Sequence, residues 1–163
     1  RIKAAGIDSL RIYNKSLGTL RGGYIVGGGA DLALAVFTVI AYILNPEELT
    51  ASFANAARAL SPKGRLLIDV PRRILFNSSK VQKRGLTRDI TFTPVVGNLF
   101  TYSENTTLET PTGPFDYADQ FTLRYWTKEE VRTALNQAGL PVKADWSDAF
   151  TAAGAEYWLC ARN

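Results

Sequence analysis

At 163 residues, with 46% hydrophobic and 21% charged side chains, the chain has the balance of an ordinary soluble globular domain with a core of its own. A net charge of +4 permits an anionic partner without demanding one. The absence of histidine excludes a Ser-His triad and argues against zinc or another metal, and the lone cysteine, Cys160, excludes an internal disulfide and fits a reducing compartment.

Arg1 to Ala5 reads as a last helical turn, with Gly6 just past its end, where positive φ is favoured. An opening in mid-pattern, without an initiator methionine, leads us to expect a preceding segment. Leu10 to Tyr13 is a short strand candidate, and Asn14 to Gly29 is a glycine-rich loop. Asp31 to Phe37 is almost continuously apolar, as in a parallel strand covered on both faces. The apolar stretch Leu32 to Leu44 is too short to span a membrane and ends at Asn45-Pro46, so no membrane partner is expected. No signal peptide is visible, and a cytoplasmic location is expected.

A helix follows. Asn45 can cap it, Pro46 fits its first turn, and Glu47 and Glu48 suit the positive end of its dipole. Leu49, Phe53, Ala57 and Leu60 recur at helical spacing. Ser61 to Gly64 is expected to stop the helix and turn the chain into a second apolar strand, Arg65 to Val70, which Pro71 ends. Arg72 to Arg88 is basic and irregular. Asp89 to Thr93, Leu99 to Leu108 and Gln120 to Tyr125 have strand chemistry, punctuated by Pro94, Gly97 and Pro111-Thr-Gly-Pro114. Alternating residues such as Thr91-Phe92-Thr93 and Phe121-Thr122-Leu123 predict an antiparallel sheet with one wet face. Thr127 and Glu130 form a capping box for a second helix, with Trp126 stapled onto Val131. Val131, Leu135 and Ala138 form its buried stripe, and Gly139 ends it. Val142 to Trp146 and Glu156 to Ala161 close the chain as strands. The absence of repeats and linkers predicts one domain over residues 1–163, with an antiparallel insertion over 72–125.

This order is similar to the second half of a class I methyltransferase that uses S-adenosylmethionine. Asp31 to Tyr42 resembles the family's fourth strand and the loop after it. Ala59-Leu-Ser-Pro-Lys-Gly-Arg-Leu-Leu-Ile-Asp-Val70 resembles its "LxPGG" turn and fifth strand, with Lys63 where the first glycine is usual. Leu123-Arg-Tyr-Trp-Thr-Lys-Glu-Glu130, followed by Ala138-Gly139-Leu140, is similar to its "RxWTxEE…AGF" region. The family's acidic-x-Gly-x-Gly loop and its ribose-binding acid are absent from this sequence.

The resemblance implies an α/β fold, a partial Rossmann-like methyltransferase sheet with an antiparallel β insertion after the fifth strand. It also implies S-adenosylmethionine as cofactor. Ser16 and Leu17 then stand near the adenine, and Ala35, Val36 and Phe37 near the sulfonium; core packing is the plainer role for the last three. Tyr42 falls where the family lines the methyl site, and packing is its plainer role too. Asp69, at the end of an apolar strand, could orient or deprotonate a substrate amine or hydroxyl, or cap a nearby loop. Tyr42 and Asp69 are therefore the catalytic candidates. Tyr42, Tyr102 and Arg124 are expected to converge on one acceptor pocket beneath the insertion, acting as a lid. Arg124 could pair with an acceptor's carboxylate or phosphate, or be a solvated strand residue.

The expected reaction is methyl transfer to N or O of a small molecule, which needs positioning more than a fixed triad. The loose basic cluster of Arg72, Arg73, Lys80, Lys83, Arg84 and Arg88 keeps nucleic acid open as a partner, although no aromatic residues alternate with the charges. Two other classes remain. One is a binding or scaffold protein that keeps the fold without the cofactor site. The other is a nicotinamide-dependent dehydrogenase using Gly27 to Gly29, which needs a helix starting at Ala30.

Overall fold

The computed structural model describes residues 29–149 and 154–163. The strand expected at Leu10 to Tyr13, and the loop from Asn14 as far as residue 28, lie outside them.

Strand β1 spans Ala30–Ala35 and strand β2 spans Leu60–Pro71; they pair in parallel, Leu32 with Arg65 through Ala35 with Ile68. Helix α1, Pro46–Ala59, connects them. The Asn45 side chain accepts from the Glu48 amide at 2.7 Å and so satisfies one of the first orphan donors. Leu49, Phe53, Ala56 and Ala57 are its buried face. The strand–helix–strand unit predicted from the apolar runs is therefore present, and the helix that a dehydrogenase would need from Ala30 is not: that segment is β1.

The turn expected at Ser61 to Gly64 is instead the first part of β2, because Leu60 both ends the helix and opens the strand. Gly64 makes this tight entry feasible. A Cβ there would stand 2.6 Å from the backbone oxygen of Ala30. The two strands thus pair from their first residues, with a register shift between Ala30 and Leu32.

Helix α2, Lys128–Gln137, follows the predicted capping box: Thr127 and Glu130 satisfy each other's backbone amides. Strands β7, Val142–Asp145, and β8, Ala155–Cys160, then complete a mixed sheet in the order β1-β2-β8-β7, with β8 antiparallel to both neighbours. Its core joins Leu49, Phe53, Ile68, Trp126, Leu135 and Trp158. Coverage of β1 is one-sided among the described residues. Ala33 and Ala35 pack on the core, while Leu32 and Leu34 are 55% and 60% exposed.

Between β2 and α2 lies a separate antiparallel sheet, β3 Ser79–Lys83, β4 Leu86–Pro94, β5 Leu99–Thr110 and β6 Gly113–Arg124, in that spatial order. The Arg72 to Arg88 segment, read as irregular, forms a 3-10 turn at Arg73–Phe76, then β3 and the start of β4. Strand β3 is exposed along its whole length, so no apolar alternation marks it. A smaller core of Ala41, Phe76, Phe100, Tyr102 and Leu123 ties this sheet to the turn after β1. Among the described residues no helix is long and apolar enough to cross a membrane, and no cluster of His, Cys, Asp or Glu could hold a metal ion.

Candidate functional site

The site begins where β1 stops. After Val36 the backbone takes two left-handed residues in succession, Phe37 at φ 66° and Thr38 at φ 60°. Each such non-glycine residue costs on the order of 1–3 kcal/mol and persists only if its surroundings hold it. Asp69, near the end of the adjacent β2, supplies that hold. It is buried, and both its carboxylate oxygens accept from the Thr38 amide, at 3.0 and 2.9 Å. Burial raises the Asp69 pKa, and the amides of Thr38, Phe37 and Asp69 itself oppose the rise. These bonds are those of a cap on the turn. Phe37 is 87% exposed.

A 3-10 turn at Val39–Tyr42 follows. Trp126 pins it: its indole Nε1 donates to the backbone oxygens of Ile40 at 3.0 Å and Ile43 at 3.1 Å. Ile40 and Ala41 are buried and Tyr42 stands out, half exposed, beside Phe121 at 5.3 Å between ring centroids. From Phe121 an aromatic row continues across the antiparallel sheet. Phe121 stacks on Tyr102 at 4.6 Å, and Tyr102 meets Phe92 edge-on at 5.3 Å. Register explains the row, because Phe92, Tyr102 and Phe121 are directly opposite one another on β4, β5 and β6.

Between the turn and this aromatic face lies a cavity of about 520 Å³, lined by Thr38 and Tyr42 on one side and Tyr102, Phe121 and Arg88 on the other. That volume is in the range of small-molecule sites. Its polar corner is a closed network. Arg88 grips Glu104 through both ends of the carboxylate, Nε to Oε1 at 2.6 Å and Nη2 to Oε2 at 2.8 Å. The Tyr102 hydroxyl donates to Glu104 and accepts from Arg88 Nη2 at 3.2 Å. Thr106 Oγ1 donates to Glu104 as well, at 2.8 Å. The Arg88 contact, with help from Tyr102 and Thr106, holds Glu104 down at about 2. Burial, and the bond that Tyr102 donates to Glu104, push the phenol up to about 12. At neutral pH Glu104 is therefore ionised and Tyr102 keeps its proton.

Of the residues picked out in the sequence, Tyr42 and Tyr102 meet in this cavity. Arg124 does not join them, which corrects the expected convergence. Its Nη1 donates to the Leu44 backbone oxygen at 3.0 Å, its Nη2 pairs with Glu130 at 2.9 Å, and its guanidinium lies 3.9 Å over the Trp126 ring. It is an anchor between β6, α2 and the end of the 3-10 turn. Ala35 lines a neighbouring apolar cavity of about 540 Å³ against α1, and Tyr42 borders both cavities. Ser16 and Leu17 lie outside the described residues. In the basic cluster Arg72 pairs with Glu156, Lys80 with Asp89 and Arg88 with Glu104. The Arg88–Glu104 pair and the Phe92–Phe121 row were missed in the sequence. The signal was the alternation of Arg88, Ile90 and Phe92 against Tyr102 and Glu104, which puts them on one face.

Whether the described residues suit S-adenosylmethionine is a question of donor chemistry. At the β1 end they are uncharged, with an open Phe37 ring and a half-open Tyr42 ring. Aromatic faces attract a sulfonium, as they do other cations. The fit covers that end of the cofactor. Asp69, on the adjacent β2, is committed to the turn.

No family model matches the sequence, and no curated protein does. Solved structures do match. An S-adenosylmethionine-dependent methyltransferase from Clostridium acetobutylicum superposes with a TM-score of 0.81 at 11% identity, over 99% of this chain and 68% of that one. A sugar N-methyltransferase from a Streptoalloteichus species gives 0.71 at 17% identity, over 98% of this chain and 65% of that one. An amino pentose methyltransferase from Micromonospora echinaspora, solved with S-adenosylmethionine bound, gives 0.70 at 20% identity, over 91% of this chain and 63% of that one. The chain thus spans about two thirds of the length of these structures. The likeness establishes the fold, that of the class I methyltransferases.

Proposed function

We propose that the protein belongs to an S-adenosylmethionine-dependent methyltransferase acting on nitrogen or oxygen of a small molecule. The observation that carries this reading is the cavity of about 520 Å³ shared by the strand-end turn and the aromatic face of the antiparallel sheet. Ligands of open α/β sheets bind at the carboxyl ends of strands, and this cavity opens there. The named activities of the similar structures, sugar and amino pentose methyl transfer among them, agree with it.

Ala35, Val36 and Phe37 would flank the sulfonium end of the cofactor, which supplies an electrophilic methyl group when bound. Asp69 holds the turn that presents Phe37 and Thr38, so its role is positioning. Tyr42 and Phe121 would fix the acceptor's ring. The antiparallel sheet would act as a lid that keeps water from the reacting centre. Tyr102 keeps its proton and serves as a wall, since its hydroxyl already donates to Glu104.

A second reading, a non-catalytic protein that binds a small molecule on the same fold, rests on the same cavity. Methyl-tritiated S-adenosylmethionine, incubated with the protein and a panel of small amines and phenols, separates the two. Label in an acceptor supports the enzyme. No transfer, together with no heat of S-adenosylmethionine binding in a calorimetric titration, supports the binding protein.

A further inference from the structure

Arg88 is the one charged residue among the described residues that line the cavity. A guanidinium there would ordinarily point to a phosphate or carboxylate ligand. This one is already engaged by Glu104 in a two-point contact, at 2.6 and 2.8 Å. Glu104 is itself only 12% exposed and also receives the Tyr102 and Thr106 hydroxyls. Only Nη1 of Arg88 is left without a hydrogen bond, and an anion meeting it there finds a guanidinium whose charge Glu104 already balances; to take the two-point face it would have to displace Glu104 and leave that carboxylate without its counter-charge. Directly opposite Glu104 on β6 stands Asp119, whose carboxylate accepts from Tyr117 and the Gln120 amide. Both carboxylates border a surface cleft beside the cavity, and an anion reaching Arg88 past Tyr102 gains little from a guanidinium already balanced by Glu104. A neutral ring meets Tyr42, Phe121, Tyr102 and Phe92 instead.

We propose that Glu104 is a specificity-determining residue: by balancing the charge of Arg88 and taking the Tyr102 hydroxyl it leaves no uncompensated cation among the described residues that line the cavity, and so selects neutral, ring-bearing acceptors over phosphorylated or carboxylated ones. Calling the occupant an acceptor rests on the methyl-transfer reading; the charge state of the cavity does not. Part of this specificity is negative, since the network penalises the wrong ligand more than it rewards the right one.

The test is a fluorescence titration of the full chain with 2-naphthol and with 2-naphthyl phosphate, without S-adenosylmethionine. Wild-type protein should bind 2-naphthol at least about tenfold more tightly than the phosphate. Glu104→Gln keeps the shape and removes the charge, which frees Arg88. In that variant the phosphate should gain about fivefold or more, with 2-naphthol changed by less than about twofold. Adding Arg88→Met to Glu104→Gln should abolish the gain. Equal or tighter phosphate binding by wild type overturns the proposal, as does no measurable 2-naphthol binding. An unchanged ratio in a folded Glu104→Gln protein overturns it as well. If that variant does not fold, the wild-type ratio decides. Neither probe needs the cofactor, so a retained preference without methyl transfer would sink the methyl-transfer reading alone. Transfer to anionic acceptors only would sink this proposal alone.

Discussion

Arg124 shows how far a residue's surroundings decide its role. Next to Tyr125 and Trp126 in sequence, it reads as a candidate for an anionic acceptor. Its Nη1 and Nη2 are engaged by the Leu44 carbonyl and Glu130, its plane lies over the Trp126 ring, and its Nε is buried without a hydrogen-bond partner. Arg124→Ala should therefore cost about 1–3 kcal/mol of stability, since it removes charge-assisted hydrogen bonds at a largely buried site. It should leave small-molecule binding in the cavity near wild type once the protein is folded. Urea denaturation and probe titration check both halves; a stable variant with weakened binding would return Arg124 to the site. Asp69 was legible as a polar residue in an apolar strand, because one-dimensional pattern exposes such a break. Its partner was not legible, because the left-handed pair Phe37-Thr38 has no sequence signal: neither residue is glycine, asparagine or aspartate.

Among the elements, those with strong local chemistry were the readable ones. Helices α1 and α2 carry their caps in the sequence, Asn45 and the Thr127–Glu130 box, and the structure makes the corresponding bonds. Strands β1 and β2 carry the short apolar runs Asp31 to Phe37 and Arg65 to Val70, the second stopped by Pro71. Strand β3 escaped because it is exposed throughout and pairs through its backbone, with Lys80 opposite Asp89. The entry to β2 was misread as a turn because Ser-Pro-Lys-Gly has turn composition. Its glycine serves a close approach instead, and that is testable. In Gly64→Ala the new methyl would collide with the Ala30 oxygen, 2.6 Å away, which is backbone in the paired strand and cannot swing aside. The variant should lose about 2–4 kcal/mol, at the high end for single substitutions. A melting temperature within a degree or so of wild type would mean that β1 and β2 pair less closely there than the structure indicates.

For the whole molecule, the order of elements was enough to anticipate a strand–helix–strand unit, an antiparallel sheet after it and a closing helix with two strands. Of the faces that meet, the approach of Tyr42 to Tyr102 was anticipated, and the rest was not. The aromatic row and the Arg88–Glu104 pair arise from register between strands far apart in sequence. The account stands on the claim that the cavity between the strand-end turn and this row holds the methyl acceptor. Tyr42 tests it best, because it borders the cavity, is 55% exposed and can be truncated without opening the core. The measurement is kcat/KM for tritiated methyl transfer to a neutral aryl amine or phenol, wild type against Tyr42→Ala, with melting curves alongside. The predicted result is a loss of about tenfold or more, at an unchanged melting temperature, because ring positioning at the reacting centre is removed. Transfer that proceeds at the wild-type rate in Tyr42→Ala would contradict the claim and place the acceptor elsewhere on the fold.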